Sequence, residues 1–232
     1  PAACREAIAA LRAARALQAA TGCTLGADIT LEKRLPAEAG MGGGSSDAAS
    51  TLIALNRLWG LGLPRARLAE LGLTLGADVP FFIGGQNAWV EGIGERLAPV
   101  DLPPARFVVV KPPTGASTAA IFGSPALKRD TKAAILSGFA ADALRNPEKI
   151  WSFGANDLQA VAQAVCPDIS DCIAWLARKG LSARMTGSGS AVFAPCVGNV
   201  ADGLDLSDAP AGWQVKICSN WAEHPLRAWC EG

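Results

Sequence analysis

Tyrosine is missing from this chain, and histidine occurs once, as His224 near the C-terminus. A single histidine excludes His-rich metal centres. A Ser-His-Asp triad would have to use His224, and no nucleophile elbow accompanies it. Net charge is missing as well, with 21 Lys+Arg against 21 Asp+Glu. The basic excess usual in nucleic-acid binders is therefore absent from the total, although a balanced chain can still carry a local patch. No run of 18 apolar residues occurs, so nothing in the sequence reads as a membrane span. The opening stretch PAACREAIAALRAARALQ is interrupted by Arg5, Arg12 and Arg15, unlike a signal peptide. The seven cysteines (Cys4, Cys23, Cys166, Cys172, Cys196, Cys218 and Cys230) include no CxxC pair. They read as reduced thiols of a cytoplasmic protein, with neither a disulfide frame nor a zinc site.

What is present suits a helix-rich globular chain. Its 232 residues allow one large domain or two small ones, and 50% are hydrophobic, many of them alanine. The first residues predict an amphipathic helix with Ile8, Leu11 and Ala14 on one face. Residues 28–35 alternate as a strand does. Helices are predicted over 45–58, with Ala48, Leu52, Leu55 and Leu58 in phase, and after Pro64. The block 76–85 carries the Gly and Pro of turns, 87–100 a hairpin through Gly92 and Gly94, and 106–111 a buried strand. A domain boundary is placed near Lys111 to Ser117. Beyond it come helical stretches at 117–122 and 131–144, then a helix pair divided by Pro167. A strand, glycine turn and strand over 182–195, a helix at 199–206 and a final strand complete the pattern. The mixture indicates an α+β fold.

Three segments can carry chemistry. The first is Gly40-Met41-Gly42-Gly43-Gly44-Ser45-Ser46-Asp47, between the strand and the helix. Glycines let backbone amides approach a ligand, and the first amides of a helix are unpaired. With the helix dipole they make an anion site, to which Ser45 and Ser46 add hydroxyls. No lysine follows, so this is not the GxxxxGK[ST] loop. On composition alone the segment reads equally well as a Gly/Ser linker with a serine cap. Glu38 is awkward beside phosphate, and its side chain must point away or bind through a cation. The second segment is Gly76-Ala77-Asp78-Val79-Pro80-Phe81-Phe82. Asp78, among small and apolar residues, is a candidate general base through partial desolvation. The plainer reading is a turn cap before Pro80. The third is Thr186-Gly187-Ser188-Gly189-Ser190, where glycines would permit close approach to a ligand or to the first loop. An ordinary hairpin turn explains it too.

Taken together, these residues resemble the GHMP kinase superfamily. Pro36 to Ala49 is similar to that family's second motif, and Met185 to Phe193 to its third. GGGSSDAA, GADVPFF, LNRLWGL, GASTAAIF and NDLQAVA together are similar to its branch acting on cytidyl-diphospho-methylerythritol. The resemblance implies a two-domain α+β fold. Residues 1–112 would form an ATP-binding part related to a ribosomal S5 domain, and 113–232 a ferredoxin-like part, with the substrate between them. It implies that Pro36, Ala37, Glu38, Ala39, Gly40, Met41, Gly42, Gly43, Gly44, Ser45 and Ser46 wrap the ATP phosphates. Ser45 and Ser46 would lie nearest Mg2+, with no metal site made by the protein alone. Asp78 would be the catalytic base, Phe122 would pack on the cytosine, and Lys33 would lie near the nucleotide. The reaction implied is phosphorylation of the substrate's 2-hydroxyl in isoprenoid precursor synthesis by the methylerythritol phosphate route. The partner would be this small molecule alone, with no nucleic acid or membrane, and the enzyme a cytoplasmic monomer or homodimer.

The family's first motif, Pro-Ala-Lys-hydrophobic-Asn, and its Gly-Tyr-His segment have no counterpart here. The resemblance therefore implies a missing N-terminal segment and little activity in residues 1–232 alone. Open alternatives are a homoserine, mevalonate or galactose kinase of the same superfamily, a catalytically inactive nucleotide-binding remnant, and a nucleic-acid binder.

Overall fold

The computed structural model describes residues 2–145, 147–196, 198 and 200–230. They divide into two compact units. One gathers Pro1–Leu35, Gly42–Pro103 and Trp221–Gly232, the other Pro36–Met41 and Pro104–Asn220. The division falls inside the glycine-rich segment, after Met41.

The first unit carries α1 (Ala2–Thr21), α2 (Gly43–Leu58), α3 (Arg65–Leu75) and α4 (Val79–Gly84), then the hairpin β1 (Ala88–Glu91) and β2 (Arg96–Pro99). Its core joins Ala13, Ala14 and Leu17 of α1 to Ala48, Ala49, Leu52 and Ile53 of α2. Small side chains on the facing stripes let two helices approach closely. The buried face of α1 differs from the one expected: Ile8 is 46% and Leu11 47% exposed, while Ala10, Ala13, Ala14 and Leu17 are buried. An alanine-rich helix has a shallow hydrophobic gradient, so the partner's shape decides which face turns in. Residues 28–35 form no strand, and Ile29 and Leu35 are exposed. Alternation supplies a half-apolar ribbon, but a strand needs a neighbour for its N–H and C=O groups, and none pairs with it among the described residues. The block expected as turns holds α4 instead. Pro80 is tolerated in its first turn, where the missing N–H would have had no helical partner. Gly72 makes α4's seat on α3, since a Cβ there would lie 2.7 Å from Ile83 Cδ1 and 2.8 Å from Val79 Cγ1.

In the second unit a four-stranded antiparallel sheet contains β3 (Arg106–Lys111), β4 (Arg184–Met185), β5 (Val192–Cys196) and β6 (Gln214–Ser219), ordered β4-β5-β3-β6. Numbered within the unit this is 2-3-1-4, the order of a ferredoxin-like sheet. One face buries Val108, Val110, Val192 and Ala194 against Ile169, Cys172, Trp175 and Leu176. Those four come from α8 (Asp168–Arg178), which follows α7 (Leu158–Val165) across Pro167 as expected. The helices α5 (Thr118–Gly123) and α6 (Leu136–Arg145) precede them. Residues 131–135 stay outside α6, and the expected helix near 200 is a single 3₁₀ turn, Val200–Gly203. Cys23, Cys166, Cys172, Cys196 and Cys218 are free thiols. Burial pushes the Cys172 thiol up to about 12, so it stays protonated. The side chains of Cys4 and Cys230 lie outside what is described.

Candidate functional site

In the second unit, Pro36–Met41 is laid against the glycine turn between β4 and β5. Ser190 N donates to Glu38 O at 2.9 Å and Ala191 N to Ala39 O at 3.2 Å. Thr186 Oγ1 donates to Gly40 O at 3.1 Å. Gly40 has φ +66°, and a Cβ on it would fall 2.3 Å from Thr186 O and 2.6 Å from Gly189 N. A Cβ on Gly187 would fall 2.6 Å from Gly40 O. Of the two approaches that the glycines of 186–190 could permit, this is approach to the first glycine segment. Glu38 is the one non-glycine residue with positive φ among those described, at 53°. Its carboxylate is turned toward Gly115, where a Cβ would meet Oε2 at 2.4 Å.

Two side chains that the sequence reading did not single out hold the turn from behind. Asn156 Nδ2 donates to Gly187 O at 2.8 Å and Met185 O at 3.2 Å. Gln159 Oε1 accepts Met185 N at 2.9 Å. The signal was the NDLQ wording, which carries no geometry on its own. Phe122, on α5, is 50% exposed. It lines a cleft of about 530 Å³, open to solvent, with Asn156, Asp157, Arg184 and Phe193. The start of α5 is tied to the glycine turn by Thr118 Oγ1 and Ser188 Oγ, 2.7 Å apart.

In the first unit, Gly42 is the N-cap of α2, with φ 67° and ψ 17°, and no side chain caps the helix. The first helical bond runs from Ser46 N to Gly42 O, 2.9 Å. The amides of Gly43, Gly44 and Ser45 thus precede it, as an anion site requires. Asp78 stands immediately before α4. It is exposed, so the desolvation expected from its sequence neighbours is not there: Gly76 and Ala77 are too small to cover it. Its backbone is nonetheless well anchored. Val79 and Pro80 are buried, and the hairpin tip presses on the preceding residue so closely that a Cβ on Gly94 would lie 2.0 Å from Ala77 O. Gly94 was read only as a turn glycine, and its seat on Ala77 depends on the tertiary fold. Lys33 is half-buried in the first unit.

His224 packs in the first unit, beside a small aromatic pocket with Phe81, Phe82 and Trp221. Burial lowers its imidazole pKa, and its Nδ1 accepts the Leu226 amide at 3.2 Å. It caps the C-terminal segment rather than serving as a nucleophile's base. Among the described residues, no group of three or more His, Cys, Asp or Glu side chains could hold a metal ion, and no helix is long and apolar enough to cross a membrane.

Two family models match the chain: the GHMP kinases N terminal domain over residues 9–86 and the GHMP kinases C terminal over residues 135–210. A relative from Variovorax paradoxus, named 4-diphosphocytidyl-2-C-methyl-D-erythritol kinase, is 60% identical over 94% of this chain and 76% of its own length. One of the same name from Paracidovorax citrulli is 58% identical over 94% of this chain and 74% of its own length. A crystal structure of 4-(cytidine 5'-diphospho)-2C-methyl-D-erythritol kinase superposes with a TM-score of 0.70 at 33% identity, covering 90% of this chain and 77% of that one. A homoserine kinase from Cytophaga hutchinsonii shares the fold, with a TM-score of 0.58 at 18% identity, covering 83% of this chain and 69% of that one.

Proposed function

The chain belongs to the GHMP kinases, and from that premise we propose that it transfers the γ-phosphoryl group of ATP to the 2-hydroxyl of 4-diphosphocytidyl-2-C-methyl-D-erythritol. The carrying observation is the relatives of that name, 60% and 58% identical over most of the chain. Homoserine kinase is the weaker reading, because that likeness is at 18% identity and speaks to fold alone.

ATP would supply the phosphoryl group and a negative charge, which Mg2+ and the protein's amides would offset. The uncapped amides of α2 fit that need, and Pro36 to Ser46 are the residues that would hold the phosphates. Mg2+ commonly binds through substrate phosphates and few protein groups, and Ser45 and Ser46 are the hydroxyls suited to its shell. Asp78 accepts the proton of the 2-hydroxyl as that oxygen bonds to phosphorus and the bridge to the β-phosphate breaks, releasing ADP. Phe122 offers an exposed aromatic face at the rim of a cleft, the geometry needed to stack on cytosine. The enzyme works in the cytoplasm as a monomer or homodimer, on small molecules rather than nucleic acid or membrane.

The test is ADP release on a panel of alcohols by a protein of its relatives' full length that carries this chain. Cytidyl-diphospho-methylerythritol should exceed homoserine, mevalonate and galactose in kcat/KM by at least about a hundredfold, as expected when a polar substrate's groups are individually matched. A preference for any of the other three would overturn the assignment.

A further inference from the structure

At the end of β3, in the second unit, stands a buried ammonium that the mechanism above does not use. Lys111 is 6% exposed. Its Nζ donates to Pro112 O at 2.7 Å and to Thr114 O at 2.8 Å. The same Thr114 carbonyl accepts Ser190 Oγ at 2.6 Å, and Ser190 is fully buried. Thr114 is held on its other side by its own hydroxyl, which donates to Asp168 Oδ2 at 2.6 Å. From Ser190 the chain of contacts passes to the glycine segment, through the bond from Ser190 N to Glu38 O at 2.9 Å. Glu38 also returns to the same corner, its carboxylate lying against Gly115. That places its negative charge one residue along from the carbonyl that Lys111 holds.

A lysine is an expensive way to satisfy two carbonyls. Burying an ammonium costs several kcal/mol unless charge and hydrogen bonds compensate. Burial lowers the Lys111 pKa, with Cys166, Glu38, Cys172 and Asp168 opposing that shift. The arrangement gains one thing a neutral residue could not supply. Glu38 sets a negative charge in the segment proposed to receive phosphate, and the Lys111 ammonium offsets part of that repulsion. Hydrogen bonds from a charged donor are also the stronger kind, which suits a carbonyl that fixes a loop.

We propose that Lys111 is a positioning residue for ATP: its buried ammonium holds the Thr114 carbonyl that anchors Ser190 and, through it, the Glu38 backbone of the glycine segment, and it supplies the counter-charge to the Glu38 carboxylate. The inference rests on the kinase reading, since it needs ATP as the ligand of that segment. Lys111 touches no reacting atom, so its removal acts on ATP binding rather than on the chemical step.

The experiment is steady-state kinetics of the parent, Lys111→Met, Glu38→Gln and the double variant, each carried in a protein of its relatives' full length, with ATP varied at saturating alcohol. In Lys111→Met the KM for ATP rises about tenfold, the worth of one charge-assisted hydrogen bond, while kcat changes by less than about threefold. Adding Glu38→Gln to Lys111→Met recovers at least about threefold of that loss, because the negative charge that Lys111 offsets is gone. A lysine needed only for folding would instead lower kcat and ATP affinity together, with no recovery in the double variant, and that result overturns the proposal. So does a KM for ATP within about twofold of the parent's, a difference too small for a lost charge-assisted bond. If Lys111→Met does not fold, Ser190→Ala removes the other donor to the Thr114 carbonyl. It must then raise the KM for ATP several-fold, and an unchanged KM overturns the proposal equally. A parent that turns over no ATP on any alcohol refutes the kinase reading and this inference together. A normal parent with an unaffected Lys111→Met refutes this inference alone.

Discussion

Asn in place of Asp78 is expected to lower kcat by about 10²–10⁴-fold, the usual loss when a general base is removed. The substitution is nearly isosteric. Asp78 is exposed and the backbone around it is held by other groups: Val79 and Pro80 in the core, and Gly94 against Ala77. Stability should therefore stay within about 0.5 kcal/mol of the parent, as for other exposed positions. Calorimetric binding of ATP and of the alcohol should change far less than kcat, because an amide still fills the same space. A kcat within about threefold of the parent would remove Asp78 from the mechanism, since a lost proton acceptor raises the barrier by several RT.

Alanine at Gly40 is expected to be the most damaging change of a single atom in the second unit. Two costs combine there. The left-handed backbone costs a non-glycine residue about 1–2 kcal/mol. The added Cβ, 2.3 Å from one backbone atom and 2.6 Å from another, forces the two glycine segments apart at an overpacking cost of about 1–3 kcal/mol. The expected loss is about 2–5 kcal/mol in denaturant unfolding. ATP affinity should fall by more than about tenfold, because the loop can no longer close on the turn. Gly60 is an internal control. Its φ is also positive, at +64°, but nothing lies within 4 Å of a Cβ built on it. Gly60→Ala should show the backbone cost alone. Equal effects of the two substitutions would mean that the packing of Gly40 against Thr186 and Gly189 contributes nothing.

The sequence made some of this architecture readable through residues whose chemistry is local. Pro167 separates two helices because it cannot continue one, and α7 and α8 lie on either side of it. Gly92 and Gly94 mark a hairpin because they admit positive φ, here 70° and 119°. The uncapped start of α2 after the glycine segment was legible because helix-start amides and missing side chains are properties of a few adjacent residues. What failed depended on distant partners. Residues 28–35 had a strand's alternation but find no neighbour among the described residues. The buried face of α1 was settled by the alanines of α2 rather than by its own largest side chains. Asp78 was expected to be partly desolvated by its sequence neighbours, and they leave it exposed. Lys111 looked like the end of a strand; its bond to the Thr114 carbonyl is local, but the second donor to that carbonyl, Ser190, arrives only once β3 and β5 pair side by side. The clamp of Asn156 and Gln159 on the glycine turn is of the same kind.

The most direct test of the central claim is the identity of the product. The chain, carried in a protein of its relatives' full length, should be incubated with Mg2+, ATP and cytidyl-diphospho-methylerythritol and followed by 31P NMR. Carbon 2 of the substrate bears a methyl group and no hydrogen, so a phosphate placed on its hydroxyl has no carbinol proton three bonds away. The expected result is loss of the ATP γ-phosphate signal with growth of a phosphomonoester line that shows no splitting by protons, while the substrate's diphosphate signals persist. A split phosphomonoester line would place the phosphate on a different hydroxyl, and inorganic phosphate as the only product would show hydrolysis without transfer. Either outcome would contradict the assignment.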